Sequence, residues 1–277
     1  MKRDDLIIVR GGGDLATGTI HRLWAAGLRV LVLEIENPAA IRRQVALCEA
    51  VYTKTTEVEG LRAVRIDQYE EAEAVWQENG VPILIDPKGE SIGTLKPAVV
   101  IDAILAKRNL GTRISDAPVV IGVGPGFCAG RDCHAAIETM RGHTLGRVIR
   151  SGPAIPNTNI PGLIGGFAGE RVLRAPDDGV FHQLHEIGDL VEAGETVGEV
   201  NGKPMACTIS GVLRGILADG TPVFKGMKSG DVDPRAQVEN CYTASDKAIA
   251  IGGGVLQAIL EYTGVLRGVA GRNALEV

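Results

Sequence analysis

The stretch IIVRGGGDLATG, residues 7–18, sets the expected fold, because a short apolar run ends in three glycines, an aspartate and a helical start. Gly11, Gly13 and Ala16 match the pattern G-x-G-x-x-A, whose small residues permit a tight turn and the close approach of a pyrophosphate. Two interpretations stay open. The stretch is either a nucleotide-binding turn or a structural corner between strand and helix that holds no ligand.

The residues around this turn strengthen the first interpretation. Gly12 and Asp14 complete the loop, and the acid expected about 20 residues further on is present as Glu34 and Glu36. A carboxylate there can bind ribose hydroxyls. Both residues 42–43 are arginine, so a 2′-phosphate is not excluded. Asp14 is unusual beside a pyrophosphate and has an alternative role as a helix cap.

Alternating segments in the first 150 residues predict a mostly parallel α/β sheet of Rossmann-like type. Apolar runs of strand length alternate with amphipathic segments of helical period. The predicted strands are residues 6–10, 29–35, 61–66, 81–87, 98–105 and 117–126, and the predicted helices are residues 14–27, 40–51 and 67–80.

A second glycine loop, GVGPGFCAGRDCHAAIETMRGH, spans residues 122–143. Gly124 and Gly126 end the predicted strand 117–126, at the sheet edge where open α/β folds bind ligands. We therefore expect these two glycines to contribute to the cofactor site.

Cys128 and Cys133 in the same loop are candidate catalytic thiols. A nearby arginine and a helix N-terminus would lower the pKa of a thiol, whereas the spacing lacks a fourth ligand for zinc, and we predict no metal site. His134 and Glu138 would share one face of a predicted helix. Buried, unreactive small residues are the remaining alternative.

An internal repeat follows a connection rich in Pro, Gly and Asn. The pattern of Gly188–Val200 recurs 32 residues later at Gly220–Val232. This spacing resembles a biotinyl or lipoyl barrel-sandwich, so we expect a small β-domain of that type. Lys203 lies near the turn that carries the modified lysine in such domains, although Pro204 shifts the register.

The composition narrows the possible partners. The chain has 277 residues, a net charge of −5 and 45% hydrophobic residues, with no basic tract. These values argue against nucleic acid as a partner, and no apolar run is long enough to span a membrane. The five cysteines do not form a disulfide framework. We expect a cytoplasmic protein, and a homo-oligomer stays open.

These boundaries predict three parts. Residues 1–150 form a Rossmann-like nucleotide-binding domain. Residues 151–235 form a linker and the barrel-sandwich domain. Residues 236–277 form a C-terminal helix that packs back on the first domain.

Several stretches together resemble the accessory proteins of selenium-dependent molybdenum hydroxylase systems. The likeness covers nearly the whole chain, and its first half is also similar to maturation factors of xanthine and carbon-monoxide dehydrogenases. The stretches that carry it are VRGGGDLATGTIHRL (9–23), VLEIENPAAIRR (32–43), LKPAVVIDAILAKRN (95–109), the second glycine loop with its continuation (122–149), KSGDVDPR (228–235) and SDKAIAIGGGVLQAIL (245–260).

The resemblance implies a maturation protein that binds NAD(P) or a molybdopterin dinucleotide and helps to sulfurate, selenate or insert the cofactor of a molybdenum hydroxylase client. It adds Asp102 and Lys107 as candidate catalytic residues, and it draws attention to Asp233, Arg235 and Lys247. A free-standing NAD(P)-dependent oxidoreductase and a ligand-free module that docks a partner are the alternatives.

Overall fold

The computed structural model describes residues 5–158 and 160–264. Its first half alternates short buried strands with helices, as the apolar runs predict. The elements are β1 (Ile7–Arg10), α1 (Asp14–Ala25), β2 (Val30–Glu34), α2 (Ala50–Thr53), β3 (Thr55–Val58), β4 (Leu61–Ile66), α3 (Ala72–Gln77), β5 (Val81–Ile85), α4 (Glu90–Leu95), β6 (Val99–Asp102) and β7 (Val119–Val123).

The second half is mainly short strands, closed by one long helix. The elements are β8 (Cys128–Ala129), β9 (Ala135–Ile137), β10 (Val148–Ile149), β11 (Gly152–Pro153), β12 (Val172–Arg174), β13 (Gly179–Gln183), β14 (Leu190–Val191), β15 (Thr196–Val200), β16 (Lys203–Ala206), β17 (Gly211–Ile216), β18 (Pro222–Val223), β19 (Lys228–Asp233) and α5 (Asp246–Tyr262).

A nine-stranded sheet organises the first half, in the order β10-β9-β7-β6-β1-β2-β5-β4-β3. The strands from β9 to β4 are parallel, and β10 and β3 are antiparallel at the two edges. This confirms the predicted mostly parallel α/β sheet. Because parallel strands all end at one edge, the loops after β1, β2, β5 and β6 lie side by side.

The internal repeat folds as two interlocked halves. Val191 of β14 pairs with Gly211 of β17, and Val223 of β18 pairs with Gly179 of β13. The short strand of each repeat therefore pairs within the sheet of the other repeat. Phe181 is fully buried in the core between them. The result is two four-stranded sheets, β12-β19-β17-β14 and β16-β15-β13-β18, and these described strands do not form a closed barrel.

Helices α1 and α5 pack closely and run in the same direction. A Cβ atom at Gly18 would lie 2.5 Å from the backbone of Ala248, and one at Gly252 would lie 2.5 Å from the oxygen of Gly18 and 2.9 Å from Arg22. Residues further along α1 therefore contact residues further along α5, which means that the two helices are parallel. Their N-termini consequently lie next to each other at the carboxyl edge of the sheet.

Two helix predictions are wrong. Residues 40–51 form two 3-10 turns and a four-residue helix. Two amides in the middle of the segment bond to other elements instead of to the preceding turn: that of Leu47 donates to Thr17 Oγ1 at 3.0 Å and that of Cys48 to the oxygen of Gly12 at 2.9 Å. The segment predicted to carry His134 and Glu138 on a helix is strand β9, because pairing with β7 takes its backbone groups.

Within the described ranges, no helix has the length and hydrophobicity that crossing a bilayer requires. The predicted fraying end, residues 266–277, lies outside the described residues.

Candidate functional site

A cleft of about 670 Å³ opens at the carboxyl edge of the nine-stranded sheet. One wall consists of the segments that follow β1, β2, β5 and β6. The facing wall comes from strands β12 to β19 (residues 172–233), which we call the β-region. Arg214 of β17 and Lys228 and Asp231 of β19 line this wall. β1 lies between β2 and β6. The strands β2 to β5 lie on one side of β1, and the later strands of the sheet, from β6 onwards, lie on its other side. Open α/β sheets bind their ligands at such a switch point.

The three glycines of the first turn face different surroundings. Gly11 has φ +94°, which favours glycine, and a Cβ there would touch the oxygen of Ala103 at 3.0 Å. A Cβ at Gly12 would press on the amide of Cys48 at 3.2 Å. A Cβ at Gly13 would meet nothing within 4 Å, and Gly13 lines the cleft. The bare backbone of Gly13 therefore leaves open space at the start of α1.

The first turn of α1 presents free amides at this point. The first bond within the helix runs from the amide of Thr17 to the oxygen of Gly13, at 2.8 Å. The preceding amides of Asp14, Leu15 and Ala16 have no described acceptor, because no side chain caps the helix at Gly13. Asp14 does not act as the cap. These amides and the positive end of the helix dipole favour an anion.

Asp14 instead forms an ion pair with Arg42. The distance from Asp14 Oδ1 to a terminal nitrogen of Arg42 is 3.0 Å, and the other terminal nitrogen of Arg42 donates to the carbonyls of Asn240 and Thr243. Arg43 donates to Ile216 O and to Gln183 Oε1. Both arginines therefore connect the first half of the chain to the second, and their described contacts compete with binding of a 2′-phosphate.

Glu34 lies at the end of β2 and lines the cleft, with 8% of its surface exposed. Its Oε1 accepts from the amide of Gly12 at 2.6 Å and its Oε2 from that of Ile35 at 2.9 Å. Burial raises the pKa of Glu34, and these two hydrogen bonds partly offset the rise. Glu36, the alternative acid, is exposed and does not line the cleft.

Arg214 and Asp231, which line the facing wall, belong to a network of charged side chains behind it. Arg214 bonds to Asp231 at 2.8 Å and to Asp233 at 3.3 Å, and Arg171 bonds to Asp231 at 3.0 Å. Arg235 bonds to Asp233. The three guanidinium groups and two carboxylates form a largely buried network with one excess positive charge.

Lys228 begins β19, is exposed and lines the cleft, and its ammonium group has no described hydrogen bond or ion pair. The surrounding protein lowers the pKa of its ammonium group, chiefly by desolvation, while Asp231 acts in the opposite direction. An anion placed beside Lys228 would compensate its charge.

The second glycine loop has no comparable opening at its two candidate glycines. Gly124 has φ +85° and a Cβ there would meet Thr139 Oγ1 at 2.9 Å. Gly126 has φ +106° and a Cβ there would lie 2.6 Å from the Cα of Arg108. Neither glycine lines the cleft. In both places the protein itself fills the space that a ligand would need.

The two candidate thiols differ in exposure. Cys133 is fully buried, and burial raises its pKa to about 11, whereas Cys128 is partly exposed. His134 accepts a hydrogen bond from the amide of Val120 through Nδ1 at 2.9 Å, and burial lowers its pKa. Among the described residues, no three His, Cys, Asp or Glu side chains lie close enough together to hold a metal ion.

Asp102 and Lys107 lie in different environments, one buried and the other exposed. Asp102 is 2% exposed and accepts hydrogen bonds from Thr112 Oγ1 at 2.6 Å and from Arg10 at 3.5 Å, which tie the ends of β6 and β1 together beneath the cleft. Lys107 is exposed, with φ +62°, and is not part of the cleft lining. A catalytic role for either residue stays a prediction, as it does for the two cysteines.

No sequence pattern identified the facing wall of the cleft. Arg214, Lys228 and Asp231 belong to the repeat, whose glycine and valine pattern indicates turns and core but not which polar side chains reach the first half of the chain. The alternation of Ser229, Asp231 and Asp233 along β19 could have identified Asp231, whereas Lys228 falls outside this alternation and Arg214 lies on β17.

A search of family models gave no match. In sequence, the chain is 46% identical over 255 residues to the protein named "Uncharacterized protein YqeB" of Escherichia coli (strain K12), covering 92% of this chain and 47% of that protein. The chain therefore spans about half the length of this curated relative.

Solved structures match only weakly. The product-bound ectoine utilization protein EutE (DoeB) of Ruegeria pomeroyi has 13% identity, 82% coverage of this chain, 57% of its own chain and a TM-score of 0.23. An aspartoacylase family protein of Mesorhizobium loti has 10% identity, coverages of 83% and 85%, and a TM-score of 0.25. A succinylglutamate desuccinylase/aspartoacylase of Rhodobacter sphaeroides has 16% identity, the same coverages and a TM-score of 0.25. Likeness at this level transfers no function.

These findings contradict the expected membership in the molybdenum hydroxylase accessory family. The sequence relative carries an uncharacterized name, and the structures reported are aspartoacylase-like and ectoine-utilization proteins. The expected maturation role, with its client enzyme and its sulfur or selenium loading of a molybdenum cofactor, is wrong on the same findings. The alternatives drawn from the sequence, an oxidoreductase or a ligand-free docking module, gain no better support.

Proposed function

We propose that this chain binds a nucleoside phosphate in the cleft at the carboxyl edge of the sheet. One observation carries the proposal. The backbone of Gly13, at the start of α1, opens into the same cleft as the carboxylate of Glu34 at the end of β2. A phosphate-accepting helix start and a ribose-accepting acid are the two fixed points by which Rossmann-like folds hold nucleotides.

The remaining cleft surface suits the other parts of a nucleotide. The free amides of Asp14, Leu15 and Ala16 would bind a phosphate. The Glu34 carboxylate keeps lone pairs beyond its two backbone bonds and would accept from ribose hydroxyls. Apolar side chains beyond β2, including Ile35 and Pro38, line the cleft where the base would pack. A volume of about 670 Å³ lies within the usual range for small-molecule sites.

The fold interpretation belongs to the same proposal. We take the nine-stranded half as Rossmann-like and the repeat as a barrel-sandwich, with boundaries near residues 150 and 235. The sheet order and the paired repeats support this division. Function is nevertheless argued from the site, because such folds carry many activities.

Gly13→Val provides the direct test. Gly13 has φ −69° and ψ 179°, which a valine adopts without strain, and its Cβ would enter open space, so the variant should fold normally. The valine methyls would occupy the phosphate position. We expect nucleotide affinity, measured by calorimetry with AMP, ADP, GMP and GDP, to fall at least about tenfold, or about 1.4 kcal/mol.

Gly253→Val is the matched control. Its Cβ would also enter open space, on the exposed face of α5, far along the helix from the cleft. We expect unchanged affinity. Wild-type protein that binds none of the four nucleotides, or a Gly13→Val variant that binds them as tightly as wild type, would refute the proposal.

A further inference from the structure

Arg10 is a buried cation at the end of β1 that lines the cleft. Only 5% of its surface is exposed, yet it forms part of the cleft lining together with Leu33 of β2 and Ala103 after β6. A guanidinium keeps its positive charge when buried, and its N–H groups then need acceptors. The proposed nucleotide site makes no use of this side chain.

Arg10 lies on the opposite side of the sheet edge from α1. Successive residues of a strand point to opposite faces. Val9 packs in the core cluster that contains α1, whereas Ile8 packs in the cluster that contains Ile92 of α4. Arg10 follows the face of Ile8, and a Cβ atom at Gly89, just before α4, would lie 3.5 Å from Arg10 Nε. A phosphate at the start of α1 and a group held by Arg10 would therefore occupy different parts of the cleft.

One nitrogen of Arg10 anchors the side chain. Nη1 donates to Thr112 Oγ1, and Thr112 Oγ1 donates in turn to Asp102 at 2.6 Å. The direct distance from Nη1 to Asp102 Oδ2 is 3.5 Å, longer than the roughly 2.7–2.9 Å of a charge-assisted N–H···O bond. The side chain of Asn109 fixes Thr112 by bonding to its backbone amide and carbonyl. These bonds hold the guanidinium in place, but they use only its Nη1.

The other edge of the guanidinium is open to the cleft. Among the described residues, Nε and Nη2 of Arg10 have no acceptor. The Nε atoms of Arg42 and Arg171 also lack a partner but are enclosed by protein, whereas Nε and Nη2 of Arg10 are not enclosed. Nε and Nη2 share one edge of the guanidinium plane and present two parallel N–H donors. This geometry matches a group with two coplanar acceptor oxygens.

The acids of the cleft lining do not compensate this edge. Each is bonded to another group of the described structure: Asp14 to Arg42, Asp231 to Arg214, and Glu34 and Asp86 to backbone amides. Of the described residues, Asp102 alone forms an ion pair with Arg10, at the long distance given above. The charge of Arg10 is therefore only partly compensated, and a ligand with a single negative charge would complete the compensation.

Apolar side chains continue the cleft beside Arg10. Ile104 and Leu110 belong to the loop after β6 that also carries Thr112. Both line the cleft, with 36% and 46% of their surfaces exposed. A few fixed polar donors beside apolar walls are the usual composition of a site for a small organic ligand.

We infer that Arg10 binds the carboxylate of a second ligand, a small acid with an apolar body, in the part of the cleft between β1 and the loop after β6. The carboxylate would accept from Nε and Nη2, and the apolar body would contact Ile104 and Leu110. A phosphate dianion fits less well, because Asp102 already lies beside the guanidinium. This inference goes beyond the proposed nucleotide function and does not depend on it.

Ligand-observed NMR titrations with benzoate, isovalerate and succinate test the inference, with benzamide and orthophosphate as comparison probes. We expect benzoate to bind at least about tenfold more tightly than the uncharged benzamide. Arg10→Lys keeps the charge but loses the planar edge, so it should weaken benzoate binding about fivefold or more. The same variant should change AMP affinity less than about twofold.

Leu110→Asp is a second variant that does not disturb the core, because Leu110 is exposed. Its added negative charge should weaken benzoate binding about threefold or more. Leu184→Asp is the matched control, since Leu184 is also exposed but does not line the cleft, and it should have no effect. Thermal unfolding of each variant verifies folding.

Three results would overturn the inference: none of the three carboxylates binds, benzoate binding is unchanged in both Arg10→Lys and Leu110→Asp, or orthophosphate binds at Arg10 in preference to the carboxylates. Loss of AMP binding in Arg10→Lys with unchanged benzoate binding would assign Arg10 to the nucleotide and overturn it as well. Nucleotide binding without carboxylate binding would refute this inference alone. Carboxylate binding that depends on Arg10, in a protein that binds no nucleotide, would support it and refute the nucleotide site.

Discussion

The two glycine loops at the carboxyl edge of the sheet look alike in sequence and differ in what surrounds them. Each follows a buried strand, β1 or β7, and each has three closely spaced glycines. At Gly13 the missing side chain leaves open space in a cleft, whereas at Gly124 and Gly126 it makes room for Thr139 and for the backbone of Arg108. A glycine run after a strand thus permits another group to approach its backbone closely. The rest of the fold determines whether that group is a ligand or another part of the protein.

The largest effect should come from adding one methyl group to the packed loop. Gly126→Ala would force an L-residue to φ +106° with its Cβ 2.6 Å from Arg108, so we expect a loss of about 2–5 kcal/mol in the free energy of unfolding. Gly13→Ala should change it by less than about 0.5 kcal/mol. Urea denaturation measures both.

Gly130→Ala separates backbone strain from the clash, because Gly130 has φ +86° with open space around it. We expect Gly130→Ala to lower the free energy of unfolding by only about 1–2 kcal/mol. Equal stability of the Gly126 and Gly13 variants would mean that the second loop is not packed as described.

Thiol reactivity gives the next test of the second loop. Cys133 is buried and its pKa is raised to about 11, two units above the ordinary value of 9.0, so its thiolate population near pH 8 should be about 100-fold below that of an unperturbed thiol. The protected thiol should react with iodoacetamide only after unfolding, and the partly exposed Cys128 should react first. Peptide mass spectrometry resolves the two sites. Rapid native labelling of Cys133 would contradict its described burial and favour the predicted reactive thiol.

Glu34 offers a test of the first loop. Glu34→Gln should weaken nucleotide binding about tenfold, because an amide is a weaker partner for two ribose hydroxyls than a carboxylate. Glu36→Gln is the control and should have no effect, since Glu36 lies outside the cleft. Identical affinities for both variants would contradict the assignment of the ribose to Glu34.

The pH dependence follows from the same carboxylate. Burial raises the pKa of Glu34, so on acidification Glu34 takes up a proton before an ordinary glutamate does. Nucleotide affinity should therefore decline as the pH falls through this raised pKa. In Glu34→Gln the decline should be absent, and a decline of equal size there would assign the titration to another group.

The smallest effect is expected at Asp14. Asp14→Asn removes a negative charge from the helix start and loosens Arg42, and a partly exposed ion pair contributes about 0–1 kcal/mol to stability. Because the removed charge opposes a phosphate, nucleotide affinity should rise about two- to threefold. A fall in affinity would instead show that Asp14 orients Arg42 for binding.

Sequence patterns predicted six strands of the first sheet, because their buried runs are apolar and their flanking helices have a clear period. These are β1, β2, β4, β5, β6 and β7, whereas β3 and β10 at the two edges were not predicted. The patterns failed at residues 40–51 and at β9. There, backbone amides bond across the fold, to Thr17, to Gly12 and to β7, and these bonds outweigh helix propensity. The internal repeat was visible in the sequence, but the exchange of β14 and β18 between its halves was not.

For the candidate site, the sequence alone determined the glycine turn and the acid at the end of β2, because short-range spacing fixes what one strand, turn and helix can do. Only the tertiary structure decided that Glu34 and not Glu36 enters the cleft, that the second loop is filled by protein, and that Lys228 lines the same cleft as Asp14. The physical reason is distance along the chain. More than 200 residues separate Asp14 from Lys228, so only the packing of β19 against the first sheet brings both residues to one cleft.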